Sequence, residues 1–207
     1  MAHNKQLVSY TSPNSKISEQ YRLIRTNLQF SAEQEKTIII TSPSYGEGKT
    51  TVAANIAVSM AQQGENVLLV DADLRKPELH AIFEVDNNTG LTSILAGKVA
   101  YEVTLQETEI AGLHILPAGP YIHNPAEHLG MSAMKQLIDI IRKQYDFIIF
   151  DTPPVLEVTD TNVLANQCDG VVLVLKSNNT DAEAAKEAQR ILGFANSKLL
   201  GAVLNHK

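Results

Sequence analysis

Short apolar runs alternate along the chain with stretches that carry apolar residues at helical spacing, and this alternation predicts the fold. Runs of branched apolar residues predict strands at residues 37–41, 67–71, 146–151, 170–175 and 198–204. Several of these strands are apolar throughout, which is typical of a parallel sheet that is covered on both faces. Helical spacing predicts the longer helices at residues 49–63, 131–143, 158–166 and 181–193.

The region between residues 76 and 125 is less regular. It predicts two short helices and one strand, near residues 77–83, 90–96 and 113–117. Together with the longer elements, this order predicts an α/β fold with one doubly wound, mainly parallel sheet. Folds of this kind bind their ligands at the carboxyl ends of the strands.

The two ends of the chain differ in composition. Residues 1–17 are polar and rich in Ser, Thr and Asn, which predicts a flexible N-terminal arm. A helix is predicted from Ser18, with Tyr21, Ile24 and Leu28 as its apolar stripe. Residues 18–207 are predicted to form one domain, since a second domain would leave each half small.

Composition narrows the class of protein. The chain has 207 residues, of which 44% are hydrophobic, and a net charge of −6, whereas a general nucleic-acid binder is basic. Its single cysteine, Cys168, excludes a disulfide framework and indicates a reducing compartment. No apolar stretch approaches the roughly 18–20 residues of a membrane span. We therefore expect a cytoplasmic protein that reaches a membrane only through a partner.

The segment TSPSYGEGKTTV, residues 41–52, follows a predicted strand and precedes a predicted helix. This arrangement is typical of a phosphate-binding loop, in which backbone amides and the helix N-terminus converge on a polyphosphate. We expect Lys49 to bridge the β- and γ-phosphates and the Thr50 hydroxyl to bind Mg²⁺. The usual motif begins with Gly, where this chain has Pro43. The predicted nucleotide contacts are Ser44, Tyr45, Gly46, Glu47, Gly48, Lys49, Thr50 and Thr51.

Two further strands end in acidic residues. Asp71 and Asp73 follow the second predicted strand, and Asp151 follows the strand that begins near residue 146. Because side chains alternate along an extended chain, Asp71 and Asp73 lie on the same side and can both face the phosphate loop. Oxygen ligands suit Mg²⁺, so Thr50, Asp71 and Asp151 are the predicted metal site. A single Asp at such a position is more often a helix cap, but three beside Gly-Lys-Thr favour function.

The combined motifs resemble the bacterial tyrosine kinases of capsular and exopolysaccharide synthesis, of the Gram-positive cytoplasmic type. The resemblance covers nearly the whole chain from Ser18, and D-x-D-x-R after an apolar strand is its most specific part. The matching segments are SPSYGEGKTT, VLLVDADLRKP followed by His80 and Phe83, NNTGL, LPAGP, NPAEHL, FIIFDTPP, VTD at 158–160, CDGVVLVL and GAVLN.

This resemblance implies an ATP-dependent protein-tyrosine kinase that releases ADP and regulates polysaccharide synthesis or export. It implies that Asp71 deprotonates a tyrosine hydroxyl with support from Asp73, although the two can exchange roles. Asp151 is expected to hold Mg²⁺ through water. Arg75 either stabilises the transferred charge or forms a salt bridge with a neighbouring Asp. Asn205, at the end of the last predicted strand, corresponds to a residue that contacts adenine in related ATPases.

The first helix carries the motif E-x-x-R-x-x-R, formed by Glu19, Arg22 and Arg25. The simple interpretation is intrahelical pairing at spacing i,i+3. In the resembling family the motif lies at the interface between subunits of a ring, and two Arg with one Glu leave a positive charge for another subunit. The resemblance also implies a separate transmembrane adaptor, whose cytoplasmic tail recruits the kinase to the inner face of the plasma membrane.

Two features leave the function open. The family usually ends in a tyrosine-rich tail, but after residue 204 this sequence contains only Asn205-His206-Lys207. Either a tail has been removed, or the protein acts only on tyrosines of other substrates. The alternative function is a nucleotide-switched ATPase of the partition type, without kinase activity. Those ATPases carry a signature lysine where this chain has Ser44, which favours the kinase. The six tyrosines are dispersed: Tyr10, Tyr21, Tyr45, Tyr101, Tyr121 and Tyr145.

Overall fold

A computed structural model of the protein describes residues 6–31, 35–195 and 197–206. Its centre is a seven-stranded sheet with the strand order β3-β4-β2-β5-β1-β6-β7. All neighbouring strands are parallel except β3, which pairs antiparallel with β4. The predicted doubly wound α/β fold is confirmed. The strands are β1 (Thr37–Thr41), β2 (Val67–Asp71), β3 (Gln106–Glu107), β4 (Leu113–Leu116), β5 (Phe147–Asp151), β6 (Gly170–Lys176) and β7 (Lys198–Asn205).

Helices cover both faces of the sheet, because alternate strand residues are apolar on both sides. In β1, Ile39 packs into one core, whereas Ile38 and Ile40 pack into the other, and all three are fully buried. The helices are α1 (Val8–Thr11), α2 (Lys16–Ser31), α3 (Lys49–Ala61), α4 (Leu79–Phe83), α5 (Leu91–Leu95), α6 (Pro125–Leu129), α7 (Ser132–Ile141), α8 (Asp160–Ala165) and α9 (Ala182–Leu192). No helix within the described residues is long and apolar enough to span a bilayer.

The N-terminal segment is ordered over residues 6–15, so the expectation of a flexible arm is wrong there. Leu7 is buried, and helix α1 follows it directly. Asn55 of α3 accepts a hydrogen bond from the backbone N–H of Ser9 at 2.9 Å and donates one to the carbonyl of Gln6 at 2.7 Å. The buried side chain of Asn55 thus holds the backbone of the N-terminal segment, and the polar composition of that segment does not predict this contact. Residues 1–5, also assigned to the arm, lie outside the described residues.

At the amino ends of β1 and β6, four residues form what we call the amino-edge network: Lys36, Thr37, Arg142 and Asp169. Asp169 Oδ2 accepts hydrogen bonds from the backbone amides of Lys36 and Thr37, each at 2.9 Å, and from Thr37 Oγ1 at 2.8 Å. Its other oxygen accepts from Arg142 Nη2 at 2.7 Å. Burial tends to raise the pKa of Asp169, but Arg142 and Thr37 outweigh it and the pKa is lowered.

Cys168 lies next to this network in the sequence and is buried. Burial raises the pKa of its thiol to about 12. A buried thiol with a raised pKa is unreactive, because the thiolate is the nucleophile. We therefore assign Cys168 to the core, where it packs with the helices of the α7–α8 face.

Candidate active site

The loop at residues 42–48 joins β1 to α3 and has the backbone geometry of an anion cradle. Gly46 and Gly48 adopt left-handed conformations, with φ of +79° and +85°. Successive amides in such a loop, together with the N-terminus of the helix that follows, favour a phosphate group. The left-handed φ of Gly48 favours glycine, and a Cβ atom there would lie 2.2 Å from Asn205 Nδ2 and displace that side chain. The local sequence therefore fixes the shape of the loop.

Glu47, predicted to contact nucleotide, directs its side chain into the protein and is 2% exposed. Its carboxylate accepts hydrogen bonds from the backbone amides of Ser44 and Lys176, both at 3.2 Å, and from Thr180 Oγ1 at 2.7 Å. The side chain of Glu47 therefore braces the loop against the segment after β6. The predicted nucleotide contact of Glu47 therefore concerns its backbone amide and stays a prediction.

Asn205 lies at the end of β7, as predicted, and its amide reaches the phosphate loop. Asn205 Nδ2 donates a hydrogen bond to the carbonyl of Glu47 at 2.9 Å. The predicted adenine contact is therefore at most one of two roles for this side chain. Tyr45 is at the outer side of the loop, 38% exposed, with Lys76 Nζ 4.0 Å from the centre of its ring.

The acidic strand ends meet around Lys49. The register pairs Asp71 with Asp151 and Ile40 with Asp151, which brings β1, β2 and β5 to an end at one edge of the sheet. Lys49 Nζ lies 2.9 Å from Asp73 Oδ2, 3.7 Å from Asp151 Oδ1 and 3.3 Å from Thr50 Oγ1. All of these side chains are buried. We call Lys49, Asp71, Asp73 and Asp151 the acidic cluster.

Asp71 acts as a helix cap, the simpler of the two roles considered for it, and still has one oxygen free of hydrogen bonds to the described residues. Its Oδ2 accepts hydrogen bonds from the backbone amides of Glu78 at 3.1 Å and Leu79 at 3.0 Å, so it caps the start of α4. Its Oδ1 is buried and has no hydrogen-bond partner among the described residues. One oxygen therefore has a structural function, while the other is left for a ligand or a proton.

Burial and mutual repulsion shift the ionisation of the cluster. Burial, followed by the charge of Asp151, raises the pKa of Asp71 well above its ordinary value. Burial raises the pKa of Asp151 to about 6, although the charge of Lys49 opposes this shift. For Lys49, burial lowers the pKa, but Asp151 and Asp73 outweigh burial and the net shift is upward. The cluster thus combines a firmly charged lysine with two carboxylates, those of Asp71 and Asp151, that bind protons more readily than usual.

The chemistry of the cluster fits a hard divalent cation. Both carboxylate oxygens of Asp151 and Oδ1 of Asp71 are buried without a hydrogen-bond partner within the described ranges. Lys49 offsets part of the cost of these buried charges, and oxygen-preferring Mg²⁺ would compensate the rest. The described residues contain no group of three or more His, Cys, Asp or Glu that could hold a metal alone.

Arg75 forms a salt bridge with Asp160, which is the second of the two alternatives considered for it. Arg75 Nε and Nη2 donate to Asp160 Oδ2 and Oδ1 at 2.8 and 2.9 Å, a bidentate arrangement. Asp160, the first residue of α8, is fully buried. Sequence reasoning assigned no role to Asp160; the only signal was the V-T-D segment at 158–160.

The E-x-x-R-x-x-R motif has partners within the chain. Glu19 pairs with Arg22 on the same helix, and Arg22 Nη2 also donates to the carbonyl of Pro13 at 2.6 Å. Arg25 Nη1 donates to the carbonyl of Ser59 on α3 at 2.8 Å. Both arginines thus have hydrogen-bond partners within the subunit, but among the described residues only Arg22 is paired with a carboxylate, so the predicted unpaired positive charge falls on Arg25. The subunit interface itself stays a prediction.

Comparison with known proteins agrees with this geometry. The protein family described as AAA domain matches residues 35–196. The tyrosine-protein kinase YwqD of Bacillus subtilis (strain 168) is 47% identical over 205 residues, which cover 98% of this chain and 86% of YwqD.

Solved structures give the same likeness. The chimerical protein CapA2B2 has a TM-score of 0.94 at 40% identity, covering 98% of this chain and 90% of that one. The kinase domain of the Escherichia coli tyrosine kinase ETK has a TM-score of 0.93 at 31% identity, covering 96% and 79%. The cell division ATPase MinD of Pyrococcus furiosus is less similar, with a TM-score of 0.72 at 28% identity, covering 83% and 72%.

Proposed function

Because the chain belongs to the family of bacterial tyrosine-protein kinases, we propose that its acidic cluster and phosphate loop transfer the γ-phosphoryl group of ATP to a tyrosine hydroxyl. The observation that carries this assignment is the meeting of Lys49, Asp73 and Asp151 beside the capping Asp71 at one edge of the sheet. Phosphoryl transfer needs positioning, charge neutralisation and an acceptor for the proton of the nucleophile. These residues supply all three.

We assign the proton acceptor to Asp71. The tyrosine oxygen bonds to the γ-phosphorus, the bond to the ADP oxygen breaks, and Asp71 takes the hydroxyl proton. Its unpartnered Oδ1 and raised pKa support this choice, because a base works best when its pKa approaches the operating pH. Asp73 is the alternative, but its Oδ2 is held by Lys49 and its Oδ1 by the amide of Lys76.

The phosphate loop and its lysine provide the electrostatic part. Lys49 neutralises charge that develops on the transferred group, and the loop amides from Gly46 to Thr51 orient the phosphates. Thr50 and Asp151 would hold Mg²⁺, which neutralises phosphate charge when bound. The predicted share of Asp71 in this site would pass through a water, because its Oδ1 takes the proton. Arg75 is proposed to act at the same edge, held by Asp160.

We further propose that the kinase acts in polysaccharide synthesis or export, in a homo-oligomeric ring at the inner face of the plasma membrane. A separate transmembrane adaptor would recruit it through a cytoplasmic tail. This part is supported by the family alone. Within the subunit, Arg22 and Arg25 already have partners, so the ring would use them in addition to, or in exchange for, Pro13 and Ser59.

The alternative function is a nucleotide switch of the partition type, which the likeness to MinD favours. It requires ATP-dependent dimerisation without transfer to protein. The position of the signature lysine of that class is occupied by Ser44, whose amide binds Glu47 instead. Light scattering with and without ATP separates the two, because a nucleotide-dependent dimer supports the switch and a larger ring supports the kinase.

The direct test is a transfer assay with radiolabelled ATP, Mg²⁺, a synthetic Glu/Tyr copolymer and, in parallel, an adaptor-tail fusion. We expect label on tyrosine with the wild type and a loss of about 10²–10³-fold for Lys49→Met, from the removed electrostatic stabilisation. Lys186→Met, on the exposed surface of α9, is the control and should retain full activity. Label on tyrosine that is equal in wild type and Lys49→Met would refute the proposed site.

A further inference from the structure

The D-x-D-x-R segment after β2 is anchored through each of its three signature side chains to a different element. Asp71 caps α4 through the amides of Glu78 and Leu79. Asp73 binds Lys49 at the start of α3, and Arg75 binds Asp160 at the start of α8. The segment is therefore a junction, and each anchor restrains one direction in which it can move.

The third anchor, the pair Arg75–Asp160, joins the segment to α8 and not directly to the phosphate loop. The side chain of Asp160 is fully buried, whereas the side chain of Arg75 is 38% exposed. Two parallel hydrogen bonds fix the plane of the guanidinium group. An arginine held in this way presents the rest of its guanidinium group in a defined direction, which a lysine could not do.

The start of α8 is itself tied to the strand ends. Thr161 Oγ1 donates to the carbonyl of Pro153 at 2.6 Å, which holds α8 against the loop after β5. That loop is bonded to the start of the phosphate loop, because the amide of Val155 donates to the carbonyl of Ser42 at 2.9 Å. Asp160 thus connects Arg75 to the framework that also carries Asp151 and the phosphate loop.

We propose that Asp160 is a positioning residue of the phosphoryl-transfer site: by clamping Arg75, it holds the D-x-D-x-R segment against the β5 loop. This inference rests on the proposed function. Lys49 is bonded to Asp73, and a lysine that turns to the phosphates of a nucleotide gives up part of that bond. The clamp then keeps Asp71 and Asp73 at the strand ends while Lys49 changes partners. Its effect therefore falls on the transfer step and not on nucleotide affinity.

The test compares Asp160→Asn with Asp169→Asn in the full chain. Asp169 offers a matched control, since it is also paired with an arginine, Arg142, but at the opposite edge of the sheet. Transfer of label from ATP to the Glu/Tyr copolymer gives kcat, and calorimetric titration gives the Kd for ADP. We expect Asp160→Asn to lower kcat about 10–100-fold, as small misplacements do, with the Kd for ADP within about threefold of wild type.

A second comparison separates positioning from general destabilisation. Arg75→Gln should lower kcat at least as much as Asp160→Asn, and the double variant should be no worse than Arg75→Gln alone, because both remove the same clamp. Arg75→Lys, which keeps the charge but not the bidentate geometry, should fall between wild type and Arg75→Gln. Asp169→Asn should keep its kcat within about twofold of wild type.

Several results would overturn the inference. A kcat for Asp160→Asn equal to that of Asp169→Asn would do so, as would losses that add in the double variant. If Asp160→Asn does not fold, Arg75→Gln decides, and a wild-type kcat for that variant refutes the clamp. If the wild type makes no phosphotyrosine, the proposed function fails instead, and the same variants are then compared by their rates of ATP hydrolysis.

Discussion

The two edges of the central sheet carry similar residues in opposite electrostatic conditions. At the amino edge, both oxygens of Asp169 are bonded, and the pKa of this residue is lowered by Arg142 and Thr37 despite burial. At the carboxyl edge, Asp151 is fully buried, both of its oxygens lack hydrogen-bond partners among the described residues, and burial raises its pKa to about 6. The carboxylate at the amino edge therefore has hydrogen bonds to both oxygens, whereas the carboxylate at the carboxyl edge has none from the described residues.

This difference shows that one edge of a sheet can stabilise the fold while the other keeps carboxylates available for a ligand. A carboxylate with all its acceptors used contributes to folding and is unavailable to a ligand. A buried, charged carboxylate without partners destabilises the folded state. Binding of a cation or a proton to it removes that cost. Lys49 offsets part of this cost at the carboxyl edge, since it lies 2.9 Å from Asp73 and 3.7 Å from Asp151.

The largest expected effect is the loss of transfer in Asp71→Asn. The amide oxygen of Asn can still accept from the amides of Glu78 and Leu79, so the cap of α4 is retained while the base is removed. We expect kcat to fall about 10²–10⁴-fold, the usual contribution of a general base. Phosphotyrosine formation on the Glu/Tyr copolymer measures this.

The matched variant for that experiment is Asp73→Asn, because the two carboxylates are two residues apart and both face the cluster. A smaller loss in Asp73→Asn supports Asp71 as the base. A larger loss in Asp73→Asn, with Asp71→Asn still active, would transfer the role of base to Asp73.

Substitutions at the two edges should change the free energy of unfolding by intermediate amounts and in opposite directions. Without nucleotide and with EDTA, Asp151→Asn should stabilise the protein at pH 7.5 by about 1–3 kcal/mol. The reason is that the folded protein raises the pKa of Asp151 to about 6 even with Lys49 beside it, so its charged form is disfavoured at this pH. Asp169→Asn should destabilise it by about 1–3 kcal/mol, because bonds to a charged acceptor are lost. Thermal unfolding should follow with shifts of about 2–4 °C per kcal/mol for a chain of this size.

The pH dependence of the stability of these two variants tests the predicted contrast between the edges. The folded pKa of Asp151 lies above its unfolded value, so the wild type loses stability as the pH rises from about 4 to about 6. The advantage of Asp151→Asn should therefore shrink as the pH falls from 7 to 5. Asp169 has a lowered folded pKa, so its contribution persists until the pH falls below its ordinary value. An Asp151→Asn variant that is less stable than wild type at pH 7.5 would remove the contrast.

The smallest expected effect belongs to a surface pair outside both edges. Glu19→Gln breaks the exposed i,i+3 pair with Arg22 and should change the free energy of unfolding by no more than about 0.5 kcal/mol. Lys186→Gln, which breaks the comparable exposed pair on α9, is its control. Light scattering would reveal a separate role, because a ring that dissociates in Glu19→Gln but not in Lys186→Gln locates the subunit interface at α2.

The main strands were predictable because their apolar runs indicate burial on both faces of a sheet. An apolar run such as the one at residues 67–71 fits only a strand buried on both faces, and the Asp at its end marks the edge where strands stop. The phosphate loop was equally legible, since the two glycines of its motif adopt the left-handed conformations that favour glycine. Local pattern and final structure agree wherever a residue's role depends on its near neighbours.

Contacts between distant segments were not predictable. The partner of Arg75 is 85 residues away in the chain, and two partners of Glu47, Lys176 and Thr180, are 129 and 133 residues away. The ordering of residues 6–15 depends on Asn55, whose amide looks like any other polar helix residue in the sequence. The antiparallel strand β3 has only two residues, too few for periodicity to detect.

The thiol of Cys168 can report local opening at the amino edge of the sheet. It is the only cysteine in the chain, and in the folded protein burial keeps its thiol protonated and out of reach of reagents. A maleimide therefore labels the wild-type protein only when the start of β6 opens. The labelling rate measures that opening directly, with no dye, tag or substitution introduced beforehand.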